Sequence, residues 1–193
     1  MAKKALILPI IVALLLGVAA YRLFPGTATP DTGINSYLKG EMAKLTLPEK
    51  LEPISGHIIQ REDGSPVALD EMKGKVLLVN LWAPWCAPCR AEMKELASLQ
   101  RMLGDEKFEV IAINVDRGGI AQARETLSEW GVVGLPLYAQ PTMEIAFSLA
   151  EGKLPTSYII DRDANVRALY VGPLAWDKAE AVALFEALKQ GRL

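Results

Sequence analysis

Cysteine and histidine are scarce in this chain of 193 residues: the cysteines are Cys86 and Cys89, and the one histidine is His57. That scarcity excludes a structural zinc site of the usual four-ligand type. It equally excludes a framework of several disulfides. Positive charge is nowhere concentrated. The net charge is −2, the pI is about 5.6, and no dense Lys/Arg cluster occurs, which argues against a nucleic-acid partner. Internal repeats and low-complexity tracts are absent. The length suits one ordinary domain plus an appendage.

The appendage reads as a membrane signal. Lys3 and Lys4 precede Ala5–Ala20, a stretch without charge, near the short end of the roughly 17–25 residues that span a bilayer. Tyr21, Arg22 and Phe24 suit the far interface. Positive residues ahead of the span put the N-terminus in the cytoplasm and the rest outside, in the periplasm if the cell is bacterial. A cleaved signal peptide is the alternative, with Val18-Ala19-Ala20 as the small-residue site. No cysteine lies in this segment, so lipoprotein anchoring is excluded. The expected organisation is an anchor over 1–24, a linker over 25–53 and a globular domain over 54–193.

Within 54–193, apolar runs and breakers alternate strand with helix. Ile58–Gln60 and Val67–Leu69 flank the turn signal Asp63-Gly64. Val76–Leu81 and Phe108–Val115 read as buried strands, with a helix over Ala87–Leu103 between them. A helix over Gly119–Trp130, a short extended piece at Leu137–Ala139 and a helix over Thr142–Ala150 follow. Thr156–Asp161 and Val166–Val171 form an antiparallel pair, and Asp177 caps a last helix ending at Gly191. The expected fold is α/β, a mixed central sheet with helices on both faces.

The chemistry lies in Trp82-Ala-Pro-Trp-Cys86-Ala-Pro-Cys89-Arg90. A buried strand leads into it, and a helix follows with Met93, Leu96, Leu99 and Met102 spaced for one face. The first thiol therefore sits at the positive end of a helix, where backbone N–H groups favour an anion. The thiolate is the nucleophile of thiol–disulfide exchange. Pro88 fits the first helical turn, where its missing N–H costs nothing. A purely structural disulfide would close too small a loop to constrain the unfolded chain much.

The tract from Gly74 to Arg90, with Glu92 and with Leu154-Pro155-Thr156 before a strand, resembles the thioredoxin-like superfamily. It is most similar to the membrane-anchored TlpA/ResA-type thiol-disulfide oxidoreductases. Gly134–Tyr138 and Gly172–Trp176 look like the alphaproteobacterial TlpA branch. The resemblance implies a cis bond at Pro155, with the Leu154 backbone opposite Cys86 to pair with an extended client segment. Cys86 is then the attacking thiol and Cys89 the resolving one. Where thioredoxin has a buried aspartate six residues before the first cysteine, this chain has Asn80. Glu92 stands where the ResA type places a glutamate, three residues beyond Cys89 and on its helical face, able to assist proton transfer. The alternative for Glu92 is a solvated helix carboxylate. Trp85 is expected to offer a partner an apolar platform, Trp82 to be structural and His57 to have no catalytic task.

The resulting expectation is a tethered protein-disulfide reductase with no cofactor beyond the Cys86–Cys89 couple. By family analogy its electron donor is a transmembrane thiol transporter of the CcdA/DsbD type. Its clients are apocytochrome c or proteins that build the copper sites of cytochrome oxidase. A copper-binding assembly factor and a dithiol oxidant are the alternatives. Soft thiolates suit Cu(I), but no His or Met ligand pattern accompanies the pair. A peroxidatic motif of the peroxiredoxin kind is lacking.

Overall fold

The computed structural model describes residues 33–193. Its strands are β1 (Ile58–Arg61), β2 (Pro66–Ala68), β3 (Val76–Trp82), β4 (Phe108–Asn114), β5 (Tyr138–Ala139), β6 (Thr156–Ile160) and β7 (Val166–Val171). Its α-helices are α1 (Ala87–Leu103), α2 (Gly119–Glu129), α3 (Glu144–Ala150) and α4 (Ala179–Lys189). The strands form one sheet in the order β2-β1-β5-β4-β3-β6-β7. The trio β3, β4 and β5 is parallel, and the other pairings are antiparallel. Strand β3 is buried along its whole length, as an apolar run interrupted only by Asn80 and with sheet on both sides requires.

Both faces of the sheet are covered. The crossovers β3-α1-β4 and β4-α2-β5 advance in one direction, so right-handed connections put α1 and α2 on the same face. Consistent with this, Arg90 of α1 lies over the ring of Trp130, just after α2, at 5.8 Å. Helix α3 lies on the opposite face. Ser157 of β6 pairs with Asn80 of β3 and shares its hydrogen bond on the α1 side. The next residue, Tyr158, points the other way, and its hydroxyl donates to the Leu149 carbonyl of α3. The ring of Phe185 in α4 packs on Phe108 at 5.0 Å and on Trp176 at 6.3 Å, which fixes α4 beside α1.

The structure changes three expectations. The second half of the expected linker belongs to the domain. Short 3-10 turns at Ile34–Tyr37 and Gly40–Lys44 bury Ile34, Met42 and Leu45. Thr46 exchanges two backbone hydrogen bonds with Leu169 (2.8 and 2.9 Å), so this segment covers the edge strand β7. Its apolar residues follow neither the helical nor the strand period, which is why they read as a spacer. In α1, Met93, Leu96 and Leu99 are buried, but Met102 is half exposed and Leu103 takes its place inside. Successive steps of three fall behind the 3.6-residue turn, and after three of them the side chain has reached the far side. Finally, α4 begins at Ala179 with Lys178 at its N-cap and no side-chain cap, so Asp177 is not the capping residue. The anchor expected over 1–24 and the first part of the linker lie outside the described residues.

Candidate active site

The loop from β3 delivers Cys86 to the N-cap of α1 in an extended conformation, with Pro88 in the first turn. Its sulfur accepts the Cys89 N–H at 3.3 Å, the position a Ser, Thr or Asp oxygen usually fills. Cys86 and Cys89 are joined in a disulfide with a Cα–Cα distance of 5.3 Å. Cys86 keeps 5% of its surface in solvent and Cys89 none. Ala87, Pro88 and Arg90 are exposed around them. A helix N-terminus adjoining the Cys86 sulfur lowers the cost of a thiolate there once the pair is reduced.

The Leu154–Pro155 bond is cis. Leu81 pairs with Thr156, so Pro155 stands level with Trp82, at the end of β3 that runs into the cysteines. Leu154 is half-buried and Pro155 buried, and the Pro155 carbonyl accepts the Gly172 N–H at 2.8 Å. Trp85 is 60% exposed, yet its indole is fixed, donating to Asp116 Oδ2 at 3.0 Å. Asp116 follows β4, and nothing in its sequence context announced this contact. Trp82 is fully buried and packs on Trp130 at 5.5 Å. His57 is half-buried ahead of β1, three strands from β3 in the sheet order, and takes no part in the site.

Glu92 is not a solvated helix carboxylate: it is 1% exposed. Its Oε1 accepts from Asn80 Nδ2 at 2.7 Å. Its Oε2 accepts from the Leu174 N–H at 3.0 Å and from Trp176 Nε1 at 3.1 Å. Burial pushes its pKa up to about 7, against the lowering effect of these three donors, and the neighbouring Glu95 raises it further. A buried carboxyl poised near neutrality is suited to holding and releasing a proton. In the sequence Asn80 stands out only as a missing acid, and nothing local marks Ser157, Leu174 or Trp176 as partners in this site. The available signal was a lone amide in the middle of a buried apolar strand, which requires polar partners. Among the described residues no three His, Cys, Asp or Glu side chains form a metal-binding group.

A redox cysteine pair at the start of a helix, set at the end of a central strand of a mixed sheet beside a cis-proline, defines a thiol-disulfide oxidoreductase of thioredoxin-like fold. A profile of the AhpC/TSA family matches residues 46–169, well over half of the chain, and the protein belongs to that family. It is similar to the thiol-disulfide oxidoreductase ResA of Bacillus anthracis, 29% identical over 118 residues, which are 61% of this chain and 67% of that protein. The ResA of Bacillus thuringiensis subsp. konkukian is 26% identical over 167 residues, 86% of this chain and 87% of that one. A Chlorobium tepidum structure ascribed to a thiol:disulfide interchange protein DsbE superposes with a TM-score of 0.63 at 25% identity. It covers 75% of this chain and 99% of its own. The TlpA/ResA-type resemblance is thereby supported, and the protein is an enzyme of thiol–disulfide exchange.

Proposed function

We propose that the chain is a protein-disulfide reductase tethered to the inner membrane with its catalytic domain in the periplasm. The observation that carries the chemistry is Cys86 at the N-cap of α1, with 5% of its surface in solvent, and Cys89 fully closed off behind it. In the reduced enzyme the Cys86 thiolate attacks a sulfur of the client disulfide, and the first client thiolate leaves. Cys89 then gives up its proton and attacks the Cys86 sulfur of the mixed disulfide. The second client thiolate leaves, two electrons have passed to the client, and the enzyme is left with its Cys86–Cys89 bond. Glu92 takes the proton that Cys89 loses, a role supported by its burial, its value of about 7 and its helical spacing from Cys89.

The Leu154 backbone beside Pro155 pairs with the client's extended segment, and Trp85 with Pro88 gives that segment an apolar seat. Tethering is supported by Lys3, Lys4 and the uncharged stretch Ala5–Ala20. A tethered reductase in an oxidising compartment needs electrons delivered across the membrane, hence a donor of the CcdA/DsbD type. The clients are apocytochrome c or copper-site assembly proteins of cytochrome oxidase. Insulin reduction tests the role of each thiol. Cys86→Ser abolishes turnover, and Cys89→Ser accumulates a mixed disulfide through Cys86. Faster alkylation of Cys89 than of Cys86 in the reduced enzyme would reverse the assignment.

A further inference from the structure

The hydrogen bonds around Glu92 all run one way. Oε2 is met by a backbone N–H and an indole N–H, neither of which can accept or rotate away. A proton arriving at the carboxyl must therefore settle on Oε1. One lone pair of Oε1 is taken by the Asn80 amide, whose Nδ2 donates to it at 2.7 Å and to Ser157 Oγ at 2.9 Å. On the other lone pair the buried O–H meets no acceptor among the described residues, and the unused acceptor beside it belongs to Asn80 itself. Asn80 is fully buried, and its Oδ1 has no hydrogen-bond partner among the described residues. Half a turn of the amide brings that unused acceptor to face both Glu92 and Ser157. The Ser157 hydroxyl, which can donate or accept, reverses with it. The unpartnered position then holds nitrogen instead of oxygen, so the turn exchanges its occupant without adding a second such position.

We propose that the Asn80 side-chain amide turns over each time Glu92 gains or loses its proton. Asn80 is then the positioning residue that carries the state of the carboxyl to Ser157 on β6, two residues beyond Pro155. With Glu92 ionised, the amide nitrogen faces the carboxylate. With Glu92 neutral, the amide oxygen accepts the carboxyl proton and the Ser157 hydroxyl proton. The charged groups bearing on this site are few. Glu95 of the same helix acts on Glu92 directly, and Asp177, Lys178 and Glu41 act on Glu95. The groups facing Glu92 from β3 and from the 174–176 segment, Asn80, Leu174 and Trp176, are uncharged. The inference rests on Glu92 being a proton-exchanging group, as in the function proposed above.

The test uses the oxidised full-length chain in detergent, so that no thiol titrates, with 15N-labelled asparagine and 13C-labelled glutamate. Spectra are followed from about pH 5 to about pH 9, a range that brackets the carboxyl's value of about 7. The Asn80 amide protons are expected to shift with the same midpoint as the Glu92 carboxyl carbon. Their contacts to the Ser157 side chain, present on the alkaline side, are expected to vanish on the acid side. Glu92→Gln, whose own amide can donate to Asn80 Oδ1, is expected to hold the acid-form Asn80 signals at every pH. An Asn80 amide that stays constant while Glu92 titrates overturns the turn-over and leaves Glu92's role intact. A Glu92 carboxyl that holds one state throughout the range overturns both. The wild-type titration decides the matter without any variant.

Discussion

Replacing Glu92 with Gln removes one buried charge while keeping the size of the side chain, and its effect on stability has a definite sign. Burial lifts the folded-state pKa of Glu92 from the ordinary 4.5 to about 7. Between those values the folded protein holds a proton that the unfolded chain has released. Stability therefore falls as pH rises through this window. At about 1.4 kcal/mol per pH unit, the interval from 4.5 to about 7 amounts to a loss of about 3 kcal/mol. Gln does not titrate, so the variant escapes this loss. Below the window the two proteins differ by a constant that reflects hydrogen bonding alone. Above it, Glu92→Gln gains about 3 kcal/mol on the wild type relative to that constant. Denaturant unfolding of the two oxidised proteins at pH values on either side of the window measures the difference. Other titrating groups cancel in the comparison, and the intact disulfide keeps the thiols out of it. A wild-type-minus-variant difference that is flat across pH refutes the burial argument.

Further outcomes are expected. Because a carboxylate near a forming thiolate repels it, Glu92→Gln lowers the apparent pKa of the reduced Cys86 thiol and slows insulin reduction. Thiolate absorbance against pH measures the first and turnover the second. Deleting 1–53 exposes the β7 edge and the contacts of Ile34, Met42 and Leu45. At about 1.5–3 kcal/mol for each buried side chain, the loss is on the order of 5 kcal/mol; the denaturation midpoints report it. Trp85→Ala weakens KM for protein clients while leaving the melting temperature within a degree or two, roughly as expected for an exposed site. The full-length chain fractionates with membranes and resists carbonate extraction, whereas recovery in the soluble fraction with Tyr21 at the N-terminus would favour a cleaved signal.

Much of the frame was legible because periodicity and breakers marked it. The helix over Ala87–Leu103 and the strand over Val166–Val171 coincide with α1 and β7. Cys86, Cys89 and Pro88 announced themselves by spacing and by their place between a strand and a helix. The cis bond at Pro155 was accessible only through resemblance, since local sequence rarely dictates that isomer. Of the environment of Glu92, only the need of the lone amide Asn80 for polar partners was legible. The donors to Glu92 come from β3 and from Leu174 and Trp176, and such long-range convergence leaves no local pattern. The segment around Met42 was misjudged for the same reason: tertiary contacts with β7 and α4 order it, including the Glu41 N–H bonded to the Glu180 carboxylate at 3.1 Å, and its own sequence has no period.

The equilibrium redox potential of the Cys86–Cys89 couple, measured in glutathione or dithiothreitol buffers, tests the central claim most directly. A reductase requires a strongly reducing couple, close to the about −270 mV typical of thioredoxin. A value near about −120 mV, as for a DsbA-type oxidant, would contradict the account and make the protein a donor of disulfides.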